Sequence, residues 1–265
     1  MSQRLSTYTL QLLLYGVLAT PLVLFAVYAF SERWFFPALV PQEWTASPFA
    51  RLLSDRRTLQ GLGESLSIAA AASLLSLAIS FPAARTLGLR AFRGRQAAWL
   101  AFFVPTVVPP LAIGMGLNIF FLQIGLAGSM LGVTLAHLVP TLPYTIFTLS
   151  SVFARYDENY EHQALALGAN PVQIFFRVTL RLIFPGLVVA GLFAFLVSWS
   201  QYLLTLLIGG GRVLTLPMLL FSSVSGGNPA SIAALSLLFV TPPVLVIAAT
   251  ARYLGQHGAS VQEQY

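Results

Sequence analysis

Apolar residues run in long blocks along this chain, and polar residues collect in the intervals between them. About 20 mainly apolar residues are needed to cross a bilayer as a helix. Six blocks reach that length: 8–30, 65–84, 96–118, 129–153, 182–208 and 230–251. The pattern predicts an all-α polytopic membrane protein with six transmembrane helices, in one domain over residues 1–265. The first block is too long for a simple signal peptide and lacks a small-residue cleavage site, so it is expected to stay as a helix.

Two intervals are long. Residues 31–64 carry Trp34, Trp44 and several prolines, which suits an interfacial loop. Residues 209–229 contain Gly209-Gly210-Gly211 and an apolar patch over 216–221. That patch is too short to span and reads as a re-entrant or interfacial turn. Residues 253–265 read as a polar, poorly ordered tail. No internal repeat is evident.

Composition narrows the class. Only 8% of residues are charged and 57% are hydrophobic, against about 25% charge in soluble domains. There is no cysteine, which excludes disulfides, thiolate catalysis and cysteine-ligated metal. All 14 basic residues are arginine. A phosphate-binding P-loop needs a lysine, and so does Schiff-base chemistry, so neither belongs to this chain. The net charge of +6 reads as positive charge on cytoplasmic loops rather than as a nucleic-acid footprint.

The arginines also orient the chain. With the N-terminus inside, Arg4, Arg85, Arg90, Arg93, Arg95, Arg155, Arg177, Arg181 and Arg252 are cytoplasmic, and Arg33, Arg51, Arg56, Arg57 and Arg212 lie outside. This favours an N-in, C-in topology. Prolines 21, 105, 109, 110, 140, 143, 242 and 243 fall within the apolar blocks. Each removes a backbone donor and kinks or breaks a helix. Three of them between 105 and 110 point to a broken helix, whose freed carbonyls must face protein or a watery cavity.

The stretch from Asp157 to Gly186 is a charge-bearing island between two apolar runs. Asp157 or Asn159 can cap a short helix reaching Leu167, and acidic Asp157, Glu158 and Glu161 suit its first turns. Tyr160, Ala164 and Leu167 form an apolar stripe on that helix. Gly168-Ala169 ends it, with room for a positive φ at the glycine. Asn170 then caps a second helix with Pro171 at its first position. That helix, with Ile174, Phe175, Val178 and Leu182, leads directly into the fifth apolar block. An interfacial helix pair resting on the membrane is the plain alternative.

At these residues the chain resembles the permease subunits of binding-protein-dependent ABC importers of the type I fold. Their signature reads Glu-Ala-Ala, three residues, Gly, nine residues, Ile-x-Leu-Pro. Anchored on Gly168, the second Ala falls on Ala164, and Val178-Thr179-Leu180 occupy the Ile-x-Leu positions. His162 and Gln163 replace the Glu and first Ala, Glu161 stands one residue early, and Arg181 replaces the Pro. The resemblance implies a cytoplasmic helix-turn-helix coupling loop, 155–181, between helices four and five. It implies ATPase-coupling roles for Tyr160, Glu161, His162, Ala164, Leu165, Gly168, Ala169, Asn170 and Pro171.

It further implies a bacterial inner-membrane location, a cytoplasmic ABC ATPase dimer, and a second permease subunit, the same or related. A periplasmic or lipid-anchored substrate-binding protein would deliver the solute, with membrane lipid around the helices. No cofactor is expected on this chain, because ATP and Mg²⁺ would sit on the partner ATPase.

Asn118, His137, Ser198, Ser200, Gln201 and Tyr202 are polar residues in or near the apolar blocks, and are candidates to line a pathway. The alternative for each is hydrogen bonding between helices. No metal-ligand constellation surrounds His137. Acidic residues fall in loops, near block ends or in the tail, which weighs against a polyamine substrate, since an unpaired cation is costly to desolvate.

Two other classes fit less well. A self-sufficient secondary transporter would need intramembrane ionisable groups, and His137 is the one good candidate. An intramembrane enzyme would need paired carboxylates or a metal set, yet His137, His162 and His257 are scattered along the chain. The solute, and whether the permease pair is homodimeric or heterodimeric, are not written in the sequence.

Overall fold

The computed structural model describes residues 2–31, 34, 38, 41–225 and 228–262. Its elements are helical: α1 (Ser2–Ala29), α2 (Ser47–Ser54), α3 (Arg56–Leu89), α4 (Arg95–Val107), α5 (Pro110–Gln123), α6 (Met130–Phe153), α7 (Asn159–Ala166), α8 (Pro171–Ile174), a wide π-type turn (Phe175–Thr179), α9 (Leu180–Trp199), α10 (Leu203–Gly209), α11 (Leu216–Val224) and α12 (Pro229–Gln262). Among the described residues, extended pairing is limited to one isolated bridge between Ser31 and Trp44.

Among the described residues, four stretches are long and apolar enough to cross a membrane: Arg56–Leu89, Met130–Phe153, Pro171–Trp199 and Pro229–Gly255. A fifth arises if the bent pair α4–α5 is one span, and a shorter apolar stretch covers Leu13–Ala29. Span boundaries differ from the sequence reading in several places. Block 96–118 is two helices meeting at 94°. The break sits where Val108 and Pro109 each precede a proline and are extended, with ψ of 133° and 129°. A residue before proline is driven out of the helical region by the pyrrolidine ring, so two in succession end the helix. Pro21, Pro82, Pro105, Pro140, Pro143 and Pro185 instead lie inside continuous helices.

Block 182–208 is also divided, with α9 ending at Trp199 and α10 starting at Leu203. The helix of block 65–84 is 34 residues long and starts at Arg56, which places Glu64 inside it. The expected loose tail is helical through Gln262, and residues 263–265 lie outside the described set. Of the interval 31–64, residues 32, 33, 35–37, 39 and 40 also lie outside it.

The chain divides into two compact units, Met1–Leu62 with Leu216–Pro242, and Gly63–Thr215 with Pro243–Tyr265. In the first, Ala29, Ala233 and Ala234 are buried together and Phe49 and Leu52 of the short helix α2 pack against them. Small residues at such contacts let helices approach closely, the usual means of packing where lipid removes the hydrophobic drive. In the second, α6 is the central helix: α4, α9 and α10 all pack on it. Gly88 of α3 shows how close the approach is, since a Cβ there would lie 2.5 Å from Phe153 Cβ and 2.7 Å from the Ser150 carbonyl oxygen. Beneath it Leu149, Phe153, Ile183 and Ala190 form one buried cluster.

Candidate functional site

The island of residues between α6 and α9 folds as a two-helix knuckle. α7 starts at Asn159, whose N–H donates to the Asp157 carboxylate at 2.9 Å, so Asp157 acts from just outside the helix. At its far end Ala169 N–H donates to the Ala164 carbonyl at 3.0 Å and Gly168 N–H to that of Leu165 at 2.9 Å. That pair of bonds is a Schellman ending, which needs a left-handed residue. Gly168 supplies it with φ +84°. Asn170 then begins α8 with a reciprocal cap: its side chain accepts from Gln173 N–H at 2.9 Å, while the Gln173 side chain accepts from Asn170 N–H at 2.9 Å. Pro171 takes the first helical position, where its missing N–H leaves no bond unmade.

From Pro171 the helix continues without a break to Trp199, so the knuckle and the long apolar helix form one rod of 29 residues. The wide turn over Phe175–Thr179 lies within it. Phe175 sits edge-on to Phe81 of α3 at 5.5 Å, and Phe81 edge-on to Phe153 of α6 at 5.4 Å. The outer face is apolar and open. Leu167 is 89% exposed and Leu165 57%, with Tyr160 and Val172 also exposed. His162 and Gln163, at the signature's departing positions, are exposed as well, while Ala164 and Ala169 are half-buried and Gly168, Asn170 and Pro171 lie at the surface.

Glu161 faces the other way. Its carboxylate accepts from Arg85 Nη2, Tyr156 Oη and Thr179 Oγ1, each at 2.7 Å. Burial pushes this carboxyl up, but the bonds from Thr179, Tyr156 and Arg85, with the arginine charge, outweigh it and hold the group below the ordinary carboxylate range. Burial pushes the Tyr156 hydroxyl up to about 12, and the Glu161 charge beside it acts in the same direction. Glu158, next along, pairs with Arg90 at 2.9 Å. In the sequence Arg85 reads only as a cytoplasmic charge and Thr179 only as the middle of the Ile-x-Leu match, while Tyr156 carries no signal. Arg85 lies 76 residues from Glu161, beyond any local pattern.

Of the six candidate pathway residues, His137 and Ser198 meet. His137 is 1% exposed. Its Nδ1 lies 2.8 Å from Ser198 Oγ and its Nε2 3.0 Å from Thr205 Oγ1. The Thr205 hydroxyl spends its proton on the Gln201 carbonyl at 3.0 Å. Nε2 therefore donates to Thr205, leaving Nδ1 to accept from Ser198. Ser65, Ile68, Trp199, Thr215 and a third candidate, Gln201, close around this group, leaving no room for a water. Ser200, exposed, and Gln201 and Tyr202, half-buried, occupy the gap between α9 and α10. Asn118 is half-buried on α5, away from that gap in sequence and in element. Among the described residues there is no group of three acidic, histidine or cysteine side chains arranged to hold a metal.

Residues 80–256 match the family of the binding-protein-dependent transport system inner membrane component. The chain belongs to that family. The permease is 31% identical over 245 residues to the putrescine transport system permease protein PotI of Escherichia coli (strain K12), covering 89% of this chain and 86% of that one. It is 29% identical over 243 residues to a putative 2-aminoethylphosphonate transport system permease protein, PhnV, of Salmonella choleraesuis (strain SC-B67), covering 89% and 90%. Its fold matches a bacterial ABC transporter involved in the import of the acidic polysaccharide alginate, with a TM-score of 0.75 at 17% identity over 96% and 98% of the chains. It also matches the MetNI methionine ABC transporter in an inward facing conformation, with a TM-score of 0.60 at 16% identity over 79% and 97%.

The family is one of inner-membrane transport components, so the permease is a multi-pass transport subunit of an ABC importer and not an enzyme. The relatives' names cover unlike solutes, and a putrescine permease among them stands against the expectation that a polyamine is disfavoured.

Proposed function

We propose that the permease forms half of a translocation pathway for a solute and that segment 155–181 couples it to a separate ATPase. The observation that carries this reading is the knuckle: a rigid, doubly capped helix pair with an open apolar face, continuous with a membrane-length helix. Leu165, Leu167, Tyr160 and Val172 give a partner a surface to bury, and apolar surface of this kind on an ordered element marks an interaction site. A force applied there passes along an unbroken rod.

The proposed topology has six spans, counting α1 as the first and the α4–α5 pair as the third, with both termini cytoplasmic. The arginine distribution supports that orientation. ATP and Mg²⁺ belong to the partner ATPase, because this chain has no lysine for a P-loop. A second permease subunit completes the path. A substrate-binding protein delivers the solute, as the alginate transporter solved with its periplasmic protein suggests by analogy of fold. The solute is left unassigned.

The test is copurification. Affinity-tagged permease, expressed with its neighbouring transport genes, brings down a nucleotide-hydrolysing subunit. Leu167→Asp and Gly168→Trp weaken that association while the permease still inserts. Undiminished association in both variants would remove the knuckle from the interface.

A further inference from the structure

The geometry points to Glu161 as a positioning residue that latches the knuckle to α3 as well as to α9, making three elements move as one when the ATPase acts. This inference rests on the coupling role proposed above.

The Glu161 carboxylate is shared among three separate parts of the chain. Arg85 comes from α3, Tyr156 from the turn after α6, and Thr179 from the end of the wide turn that leads into α9, each bonding at 2.7 Å. Thr179 is 1% exposed, so its hydroxyl has been taken out of solvent for this contact. A charge-assisted bond is about twice as strong as a neutral one, and here one anion receives three donors.

Two neighbouring features belong to the same device. The wide turn, which ends at Thr179, adds one residue to the helix. Each added residue rotates the remainder of a helix by about 100° at 3.6 residues per turn, and this sets the face on which Thr179 lies. Such turns recur at functional sites. Second, Arg90, close after α3 as Arg85 is near its end, holds Glu158 at 2.9 Å. Two arginines from one end of α3 therefore grip two acids at the entry of α7.

The open face and the latched face of α7 are distinct. His162 and Gln163 look outward, while Glu161 looks to the body. Without these two ion pairs, α7 is tied to the rest through the turn after α6, the turn at Gly168 and its packing on α8 and the wide turn. A push on the knuckle then moves α7 without moving α3. With it, the push reaches α3 and α9 together, and both line the membrane part of this unit. Both oxygens of Glu161 accept bonds from within the chain.

The experiment uses the whole importer reconstituted in liposomes, with solute uptake and ATP hydrolysis measured side by side. Glu161→Gln keeps the shape and removes the charge. In the importers that retain the ATPase, solute moved per ATP falls about tenfold, within the usual range of coupling between sites. Arg85→Gln gives the same loss, and the double variant loses no more than either alone. The exchanged pair Arg85→Glu with Glu161→Arg recovers part of the coupling, which a merely structural defect would not.

Spin labels at Asn159→Cys on α7 and Thr86→Cys on α3, both exposed, report the latch directly in this cysteine-free chain. The distance between them is unchanged between nucleotide-free and nucleotide-trapped states, and broadens in Glu161→Gln. A distance that shifts between states in the otherwise native chain, or normal coupling in Glu161→Gln, overturns the latch. Failure of the native permease to hold any ATPase overturns the coupling reading instead, so the two failures are told apart.

Discussion

His137 Nδ1 lies 2.8 Å from Ser198 Oγ, a bond between α6 and α9 with no water-sized space beside it. Through Nε2 the same ring reaches Thr205 of α10. One imidazole therefore spans the gap where α9 stops and α10 begins. Thr141 adds to the chain of bonds, donating to the His137 carbonyl at 2.9 Å and meeting the Ser76 hydroxyl of α3.

That arrangement predicts different chemistry at two serines close in sequence. Single-cysteine variants can be made without background, because the chain has none. Ser200→Cys, exposed, reacts with a water-soluble maleimide in the purified permease. Ser198→Cys, 3% exposed, does not. Equal labelling of both would show that water reaches the His137 network.

Removing the ring costs stability. His137→Ala leaves the Ser198 hydroxyl without its partner, takes one of two bonds from Thr205 and opens a void. The expected loss is about 1–3 kcal/mol, and Ser198→Ala loses less, about 0.6 kcal/mol as for an average hydrogen bond between membrane helices. Unfolding of the two variants in detergent, followed side by side, gives the comparison. An equal loss would argue that the Ser198 bond alone, and not the packing of the ring, carries its contribution.

Gly168 is constrained by its backbone and not by its surroundings. Its φ is +84° and nothing lies within 4 Å of a Cβ built there. A side chain in the left-handed region costs about 1–2 kcal/mol, and asparagine tolerates it best. Gly168→Asn is therefore expected to keep more uptake than Gly168→Val. The opposite order would mean that the Schellman ending does not matter for transport.

The Glu161–Tyr156 pair sets a pH window for the knuckle. The Glu161 carboxyl is held below its ordinary range, so its contribution is fully present above that range and is lost as pH falls through the depressed value. The Tyr156 hydroxyl is raised from 10.0 to about 12, so its contribution is present below pH 10 and fades between 10 and about 12. Hydrogen exchange of α7 should be flat between those limits once corrected for intrinsic rate. In Glu161→Gln the acid-side loss should vanish. A native profile that rises at neutral pH would contradict the assignment.

Close packing of α3 on α6 gives a further expectation. Gly88→Val forces a methyl group against the Ser150 carbonyl and Phe153 Cβ. Overpacking of this kind costs about 1–3 kcal/mol, and thermal unfolding of the purified variant measures it. A Cβ at Gly63 on the same helix meets nothing within 4 Å, so Gly63→Val serves as the control.

How much was legible in the chain depends on distance along it. The helix ending at Gly168, the cap at Asn170 with Pro171 behind it, and the break near Pro109-Pro110 could all be read locally, because each is a backbone requirement of neighbouring residues. The membrane class came from block lengths and scarce charge. Glu161 could be seen as an acid suited to the first turn of α7 and as a signature residue one place out of step. Its inward direction depends on Arg85, 76 residues away, and on a wide turn that no periodicity announces.

His137 and Ser198 were likewise visible as polar residues in apolar blocks, but not as partners 61 residues apart. Caps, turns and hydrophobic runs are set by contacts a few residues long. The depth and rotation at which one helix meets another are set by packing of whole faces. Only the folded chain therefore decided which carboxylate is latched, which histidine is enclosed and which face of α7 stays open.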